Sequence, residues 1–262
     1  MLKKLFPVIV VFLICSAGWC PDSPMAALPM QMKLKPNHIF IGATFNGARI
    51  SVTGNVPANS EVLIRLMGPF ENTKLKKKGR ALGFLWMNMG AVEFQNIPSV
   101  FLLFPSNALE KSLKNDSDEW RKIGLGFGAL EKQAKIIPAS EDKQKLFKEF
   151  RKLKESAGRY EIQKNKVRYG ETHGSTKTFT ATMSIPSGMP KGSYKAQVFA
   201  IKNGSVVTSA EEHIIAEETG FPATLSFLAF HHGTLYGVLA VLVAIIAGLV
   251  TGLVFKGGKG GH

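Results

Sequence analysis

Two pairs of methionines in this chain stand two positions apart, a spacing that can bind a soft metal ion. Met87 and Met89 form one pair, and Met30 and Met32 form the other. On a β-strand, side chains two positions apart lie on one face, so each pair would present two thioethers together. Soft sulfur ligands suit Cu(I). Met87 and Met89 also lie in an apolar run, where methionine commonly fills a core. The pattern leaves both a Cu(I) site and a core role open.

The densest positive charge in the chain lies within residues 74–80. Its cationic members are Lys74, Lys76, Lys77, Lys78 and Arg80. Lysines along the edge of a β-sheet prevent that edge from pairing with other chains. Clustered cations also attract anions and lipid headgroups. The run is therefore interpreted either as edge protection or as an anion or headgroup contact.

Other short patterns are explained better by local structure than by catalysis. The segment Gly124-Leu-Gly-Phe-Gly-Ala129 has the spacing of a dinucleotide fingerprint, but no buried strand precedes it and no βαβ unit follows. Ser140 and Lys143 have the spacing of a serine–lysine pair, but a helix start at Ser140 explains them better. The histidines form no zinc-binding motif. We predict no catalytic residue and a protein that is not an enzyme.

The residues nearest the carboxyl end predict a membrane-spanning helix. Residues 235–255 contain no charged side chain, and at about 1.5 Å per residue they span roughly 31 Å, enough to cross a bilayer core. The positive-inside rule places the lysines that follow on the cytoplasmic side. Small residues recur every fourth position, a face that lets another helix approach closely. These residues are Ala240, Ala244, Gly248 and Gly252. The facing helix would come from a second copy of the chain or from a multi-span membrane protein.

The amino-terminal residues have the three parts of a secretory signal peptide. Lys3 and Lys4 precede an apolar run, and small residues around Ala17 offer a cleavage site. We predict a signal peptide at residues 1–18, while the cleavage site and the occurrence of cleavage stay open. The bulk of the chain is then expected in the bacterial periplasm. With Cys15 and Cys20 as its only cysteines, the exported domain would be stabilised by its core without an internal disulfide.

Charge narrows the expected partners. The chain carries a net charge of +14, and removing the four lysines at its two ends leaves +10 on the exported domain. Nucleic acid is not expected outside the cell membrane. Anionic lipid headgroups, a cell-envelope polymer or an anionic solute fit this charge better. Much of the charge would also serve simply as solvated surface.

The pattern between the two ends predicts a mainly β domain. Residues 179–185 alternate between apolar and polar side chains, as in a half-buried strand. The stretch from Pro186 to Tyr194 is typical of immunoglobulin-like sandwiches, in which the tyrosine closes a corner between strands. A helix is predicted in the middle, ending at Gly158. Its apolar face comprises Leu146, Phe147, Phe150, Leu153 and Ala157, and lysines occupy the opposite face. The predicted fold class is an immunoglobulin-like β-sandwich with a helical insertion and one C-terminal transmembrane helix.

The predicted segments follow one another along the chain without internal repeats. They are a signal peptide (1–18), a β-rich first part (33–105), a helical insertion (106–159), a completion of the sandwich (160–217), an interfacial segment (218–234), the transmembrane helix (235–255) and a cytoplasmic tail (256–262). The interfacial assignment rests on aromatic and histidine side chains before the anchor, which favour the membrane–water boundary.

Six short segments occur in a recognisable order across the chain. They are Gly83-Phe-Leu-Trp-Met-Asn88, Phe94-Gln-Asn-Ile-Pro-Ser99, Ile123-Gly-Leu125, residues 147–160, residues 185–194 and residues 235–256. Together they resemble a family of transmembrane proteins first catalogued in alphaproteobacteria. The resemblance implies a bacterial inner-membrane protein with a periplasmic domain, and it supplies no cofactor or catalytic residue. A loose association with sulfite-exporter-type permeases implies an anion permease as a partner.

Overall fold

The computed structural model describes residues 30–81, 84–112, 122–138 and 142–256. The predicted signal peptide, Ser140 and the tail beyond Lys256 lie outside these ranges. The strands are β1 (Met32–Lys35), β2 (His38–Ile41), β3 (Ala48–Pro57), β4 (Glu61–Met67), β5 (Phe70–Ala81), β6 (Leu85–Pro98), β7 (Phe101–Pro105), β8 (Lys135–Ile137), β9 (Tyr160–Ile162), β10 (Val167–His173), β11 (Thr176–Ile185), β12 (Gly192–Lys202) and β13 (Ser205–Glu218). The helices are α1 (Asn107–Ser112), α2 (Phe127–Gln133), α3 (Lys143–Ser156), α4 (Phe221–His231) and α5 (Gly233–Lys256).

Two β-sheets share a first hydrophobic cluster. The four-stranded sheet has the order β1-β3-β11-β10, and the six-stranded sheet has the order β2-β13-β12-β4-β7-β9. Ile50 and Val52 from the first sheet join Ile64 and Val198 from the second in this cluster, and all four side chains are fully buried. The prediction of a mainly β fold with one C-terminal apolar helix is confirmed, while its immunoglobulin-like detail stays a prediction.

The central strands of the six-stranded sheet, β4 and β7, are buried on both faces. Along β7, Leu102 and Phe104 belong to the first cluster, whereas Phe101 and Leu103 belong to a second cluster on the opposite face. Helices α2 and α3 and the small sheet β5-β6-β8 contribute to that second cluster. Double-sided burial explains why β7 reads as an uninterrupted apolar run.

The helical segment of the domain is a crossover connection. Strands β7 and β9 pair in parallel, so the chain between them must cross from one end of the sheet to the other. That connection contains α1, α2, β8 and α3, and β8 pairs with β6. Sequence analysis predicted an insertion at 106–159 but no strand within it. The predicted domain boundaries themselves stay predictions.

Tyr194 closes a corner in the way its sequence context predicts. Its hydroxyl donates a hydrogen bond to the carbonyl oxygen of Pro190 at 2.7 Å, and its side chain is fully buried. Burial is the main cause that raises the pKa of Tyr194, which keeps the phenol protonated as a donor. This contact ties the start of β12 to the preceding turn.

Helix α3 buries a different face from the one predicted. Phe147 and Phe150 are buried as expected, but Leu153 is 49% exposed and Lys154 is only 5% exposed. Positions 147, 150 and 154 follow the spacing of one helical stripe, so Lys154 lies on the packed face in place of Leu153. The helix is followed by Gly158 with φ of +67°. The positive φ suits glycine at the end of a helix.

One helix among the described residues is long and apolar enough to cross a membrane, namely α5. Its 24 residues include the predicted span at 235–255. Helix α4 is shorter and also apolar, and it lies within the segment predicted to be interfacial. None of the residues Gly233–Phe255 is buried against the rest of the chain.

Candidate functional site

The lysine-rich run lies on a long hairpin, here named the basic ribbon and comprising β5, β6 and the turn residue Phe84. Strand β5 is an edge strand of the sheet β5-β6-β8. The pairing of β5 with β6 shifts register twice. Asn96 lies beside one shift with φ of +57°, and Gly90 lies beside the other with φ of +128°. Such bulges bend a ribbon and increase its twist.

The lysines of β5 are accessible to solvent. Lys74, Lys76, Lys77 and Lys78 are all exposed. The ion pairs formed among the described residues do not include any of these four side chains. Arg80 lies further along the same strand, opposite Trp86 in register, with its side chain outside the described set. Both predicted roles, edge protection and anion contact, are compatible with this placement.

The far end of the basic ribbon displays apolar side chains. Phe84 is 77% exposed, Leu85 is 52% exposed and Met87 is 48% exposed. The core role considered for Met87 is therefore wrong, because nearly half of its side chain faces solvent. Met89 lies two positions further along β6, with its side chain outside the described set.

The other methionine pair has a structural role. Met32 is 8% exposed within the first cluster, and Met30 packs against the same cluster. Buried thioethers of this kind fill gaps between neighbouring side chains. Within the described residues, no three histidine, cysteine, aspartate or glutamate side chains come together as a metal-binding group.

A groove separates the basic ribbon from α3. Its volume is about 430 Å³, within the range of roughly 300–1,000 Å³ seen for small-molecule sites. Leu75 and Val92 from the ribbon face Leu146 and Leu153 from α3 across apolar walls. Lys76, Lys77, Lys78 and Lys145 line the same groove. The groove thus combines an apolar interior with a mostly cationic border.

A buried ion pair holds the base of the basic ribbon against α3. The Nζ atom of Lys154 donates to Oε1 of Glu71 at 2.6 Å, and the two side chains are 6% and 33% exposed. Partial burial by itself raises the pKa of Glu71, but the hydrogen bond and charge of Lys154 outweigh it and leave that pKa below its ordinary value. Phe94 and Phe150 stack beside the pair with ring centroids 4.3 Å apart. Sequence analysis missed this pair; the helical spacing of Lys154 from Phe147 and Phe150 was the available signal.

A second polar cluster holds the β10–β11 hairpin against the domain. Oε2 of Glu61 accepts hydrogen bonds from Tyr169 at 2.7 Å and from Ser106 at 2.6 Å. The hydroxyl oxygen of Tyr169 in turn accepts the backbone N–H of Val62 at 2.9 Å. The ammonium of Lys177 lies 3.8 Å from the Tyr169 ring centroid. Every polar atom in this set has a partner, so the cluster joins β10 to β4 as a structural contact.

A serine, a histidine and a glutamate align on the surface of β12 and β13. Ser193 Oγ lies 3.4 Å from His213 Nδ1, and His213 Nε2 lies 3.9 Å from Glu211 Oε1. Glu211 is closer to Lys195, at 3.1 Å. The hydrogen bond from Lys195 is also the main cause that lowers the pKa of Glu211. His213 is 57% exposed. The three side chains form part of a solvated cross-strand ladder.

The small residues predicted for helix packing share one exposed face of α5. Ala240, Ala244, Gly248 and Gly252 are all exposed. A side chain added at Gly248 or Gly252 would meet no atom within 4 Å outside its own helix and chain neighbours. The face is therefore open for an approaching helix.

Comparison with known proteins identifies the class. Residues 29–257 match the family described as "Putative transmembrane protein (Alph_Pro_TM)", and the chain belongs to this family. The resemblance predicted from its sequence segments is thus confirmed. No curated protein sequence matches the chain.

Among solved structures, the chain is similar to the crystal structure of Spo0M, a sporulation control protein from Bacillus subtilis. The sequence identity is 9% and the TM-score is 0.29, over 78% of this chain and 54% of that one. The chain thus spans about half the length of the structure it matches.

Proposed function

We propose that this protein is a non-enzymatic, membrane-anchored accessory module that assists a multi-span membrane partner such as an anion permease. In this proposal the β-rich domain lies in the periplasm, α5 crosses the bacterial inner membrane once, and the carboxyl end is cytoplasmic. The observation that carries the proposal is α5, a 24-residue apolar helix whose residues Gly233–Phe255 are not buried by any described part of the chain. Its apolar surface needs lipid or another helix around it.

The small-residue face supports a helix partner. Gly248 and Gly252 are separated by one helical turn, so they bring a flat strip of backbone to one side of α5. In lipid, close backbone approach at such strips drives association, because no hydrophobic effect distinguishes lipid from an apolar helix. The strip would pair either with a helix of the permease or with the same strip of a second copy.

The non-enzymatic part of the proposal rests on an alignment within the described residues that resembles a hydrolytic triad. Ser193 and His213 lie on an open strand surface, and Glu211 is committed to Lys195 at 3.1 Å. Catalytic triads act in sites that exclude water and position an oxyanion. An exposed ladder of paired charges supports a structural role instead.

The test is affinity purification of the full chain from membranes in mild detergent. We expect a multi-span protein to co-purify, and we expect Gly248→Leu with Gly252→Leu to reduce its recovery severalfold. Val243→Leu with Val250→Leu is the matched control, because these residues lie on the opposite side of α5. Absence of a co-purifying protein, or equal losses from both variants, would count against the proposal.

Topology is tested separately. A protease added to spheroplasts should digest the β-rich domain and leave a fragment containing α5 in the membrane. A domain that stays intact until the membrane is permeabilised would contradict the periplasmic placement.

A periplasmic Cu(I)-binding protein is the second candidate. The observation that favours it is the 48% exposure of Met87 on β6, which leaves this residue accessible to a metal ion. Met89 would supply the second thioether from the same strand. The full chain should be titrated with Cu(I) in the presence of a competing chelator.

The variant Met87→Leu with Met89→Leu should lower the Cu(I) affinity at least tenfold. Met30→Leu is the matched control, since Met30 packs against the first cluster. Wild-type protein that takes no Cu(I) from the chelator removes this candidate.

A further inference from the structure

The basic ribbon carries two kinds of exposed side chain in a fixed order. Lys76, Lys77 and Lys78 lie along β5, and beyond them the hairpin ends in Phe84 and Leu85. Edge protection accounts for the lysines, because β5 is an edge strand. It does not account for the tip, because displayed apolar side chains promote association. We therefore expect a binding partner that covers the apolar tip and is compatible with the three lysines beside it.

We infer that the basic ribbon docks on the anionic surface of the bilayer that holds α5. Phe84 and Leu85 enter the boundary between headgroups and acyl chains, and Lys76, Lys77 and Lys78 bind lipid phosphates. The inference rests on the proposed membrane anchoring. Apolar side chains combined with clustered cations bind interfaces that contain anionic lipid.

The dimensions of the ribbon fit this arrangement. Ala81, at the end of β5, lies three positions beyond Lys78, a rise of about 10 Å. Interfacial segments bury their apolar face roughly 5–10 Å into the boundary region. The lysines thus reach the phosphate level when the tip reaches the acyl chains. Because α5 already holds the chain at the membrane, docking is an intramolecular step with a high effective concentration.

Charge favours lipid over a second copy of the chain. Two ribbons pairing along β5 would bring the exposed lysines of each against those of the other. Like charges placed opposite one another on paired strands are destabilising. A leaflet containing anionic lipid instead neutralises the three cations and covers Phe84 and Leu85 at once.

The experiment uses the full chain in lipid nanodiscs with one fluorescent label on the ribbon. Cys15→Ser and Cys20→Ser remove the native cysteines, and Asn88→Cys places the label at an exposed position opposite Lys78. Ser175→Cys, at the tip of the β10–β11 hairpin, is the matched control label. Quenching by brominated acyl chains is compared between discs of phosphatidylcholine alone and discs that also contain phosphatidylglycerol.

We expect phosphatidylglycerol to raise quenching at position 88 roughly threefold or more, and we expect high salt to reverse the gain. Phe84→Ser with Leu85→Ser should abolish it. Changing Lys76, Lys77 and Lys78 to glutamate should also abolish it, whereas the same change at Lys33, Lys35 and Lys202 should not. Circular dichroism shows whether each variant is folded.

Several results would overturn the inference. The inference is wrong if position 88 shows no quenching, if quenching is equal in the two lipid compositions, or if position 175 is quenched as strongly as position 88. Cross-linking of position 88 between two chains, without quenching, would assign the ribbon to a second copy. Co-purification with a membrane partner does not depend on these results, so failure here leaves the proposed function standing.

Discussion

The β10–β11 hairpin and the basic ribbon differ in how their charged and apolar side chains are partnered. In β10–β11, the exposed His173 lies 3.3 Å from Glu171, and Tyr169 is bonded to Glu61 in the body of the domain. In the basic ribbon, Lys76, Lys77 and Lys78 join none of the ion pairs formed by the described residues, and the tip displays Phe84 and Leu85. The named side chains of the β10–β11 hairpin thus find partners within the domain. The basic ribbon instead exposes cationic and apolar side chains that suit an external partner.

The contrast also applies to how each hairpin is fastened. The β10–β11 hairpin is joined to β4 through Tyr169, close to the turn at Gly174. In the described residues, the basic ribbon is fastened in its lower half by the pairing of β6 with β8, by the Glu71–Lys154 pair and by Phe94 stacked on Phe150. The difference predicts that substitutions at the base change stability, whereas substitutions at the tip change binding.

The largest effect is expected where the base of the ribbon packs on α3. Phe150→Ala removes a ring that is 1% exposed, and such a cavity costs about 3–5 kcal/mol. At roughly 2–4 °C per kcal/mol, thermal unfolding of the full chain in detergent should shift down by about 10 °C. Leu153→Ala, on the same helix but 49% exposed, is the control and should shift it by far less. Equal shifts would mean that α3 is not packed as described.

The next effect concerns the buried ion pair. Glu71→Ala leaves the ammonium of Lys154 buried without its partner, which costs about 3 kcal/mol. Lys152→Ala is the control: it removes the pair with Glu149, which is 2.9 Å long and exposed on the solvent side of α3, and exposed pairs of this kind contribute little to stability. If the thermal shift for Glu71→Ala is no larger than that of the control, the Glu71–Lys154 pair does not stabilise the fold as predicted.

The lowered pKa of the Glu71 carboxylate predicts how the stability of the domain depends on pH. Because the pKa of Glu71 is lowered in the folded protein, its contribution is present above the pKa of the unfolded chain and is lost as pH falls through the folded value. The stability gap between wild type and Glu71→Gln should therefore narrow as pH falls below about 4. Thermal unfolding from neutral to acid pH measures the gap, with Glu131→Gln as a control. A difference in stability that widens as the pH falls would contradict a lowered pKa for Glu71 in the folded protein.

A smaller effect is expected at the fastening of the other hairpin. Tyr169→Phe removes the hydroxyl that donates to Glu61 and accepts from Val62, a loss of about 1–2 kcal/mol. Amide hydrogen exchange should increase at Val62, whose N–H loses its partner. Unchanged protection at Val62 would show that the hairpin is held by other contacts.

The smallest effect on stability is expected at the ribbon tip. Phe84→Ser with Leu85→Ser alters side chains that are mostly exposed, and surface changes of this kind stay within about 0.5 kcal/mol. The melting temperature should therefore match that of wild type while lipid contact is lost. A clear drop in melting temperature would mean that the tip packs on the domain.

The sequence predicts the outline of the fold because its signals are local. An alternating run predicts β11, and an uncharged stretch predicts α5. The Pro186–Tyr194 pattern predicts the corner that Tyr194 closes on Pro190. Each of these signals depends on residues close together in the chain, so a single sequence suffices to detect it.

The contacts that sequence analysis missed join residues far apart. Glu71 and Lys154 are separated by 83 positions, and Tyr169 and Glu61 by 108. Lysine is rarely buried, so Lys154 was placed on the solvent face of α3 and Leu153 on the packed face. The short strand β8 has three residues, too few to show a period. The sequence predicted the lysine run as a candidate site. It did not predict the exposed apolar tip, which is the feature that favours a lipid surface as the partner.

The pairing of β2 with β13 has a consequence for biosynthesis. These neighbours stand near opposite ends of the domain sequence, His38–Ile41 and Ser205–Glu218, and they pair in parallel. The six-stranded sheet therefore cannot be completed until β13, the strand that precedes α4 and α5, has been synthesised. Long-range closure of this kind is slow and exposes unpaired edges in the meantime.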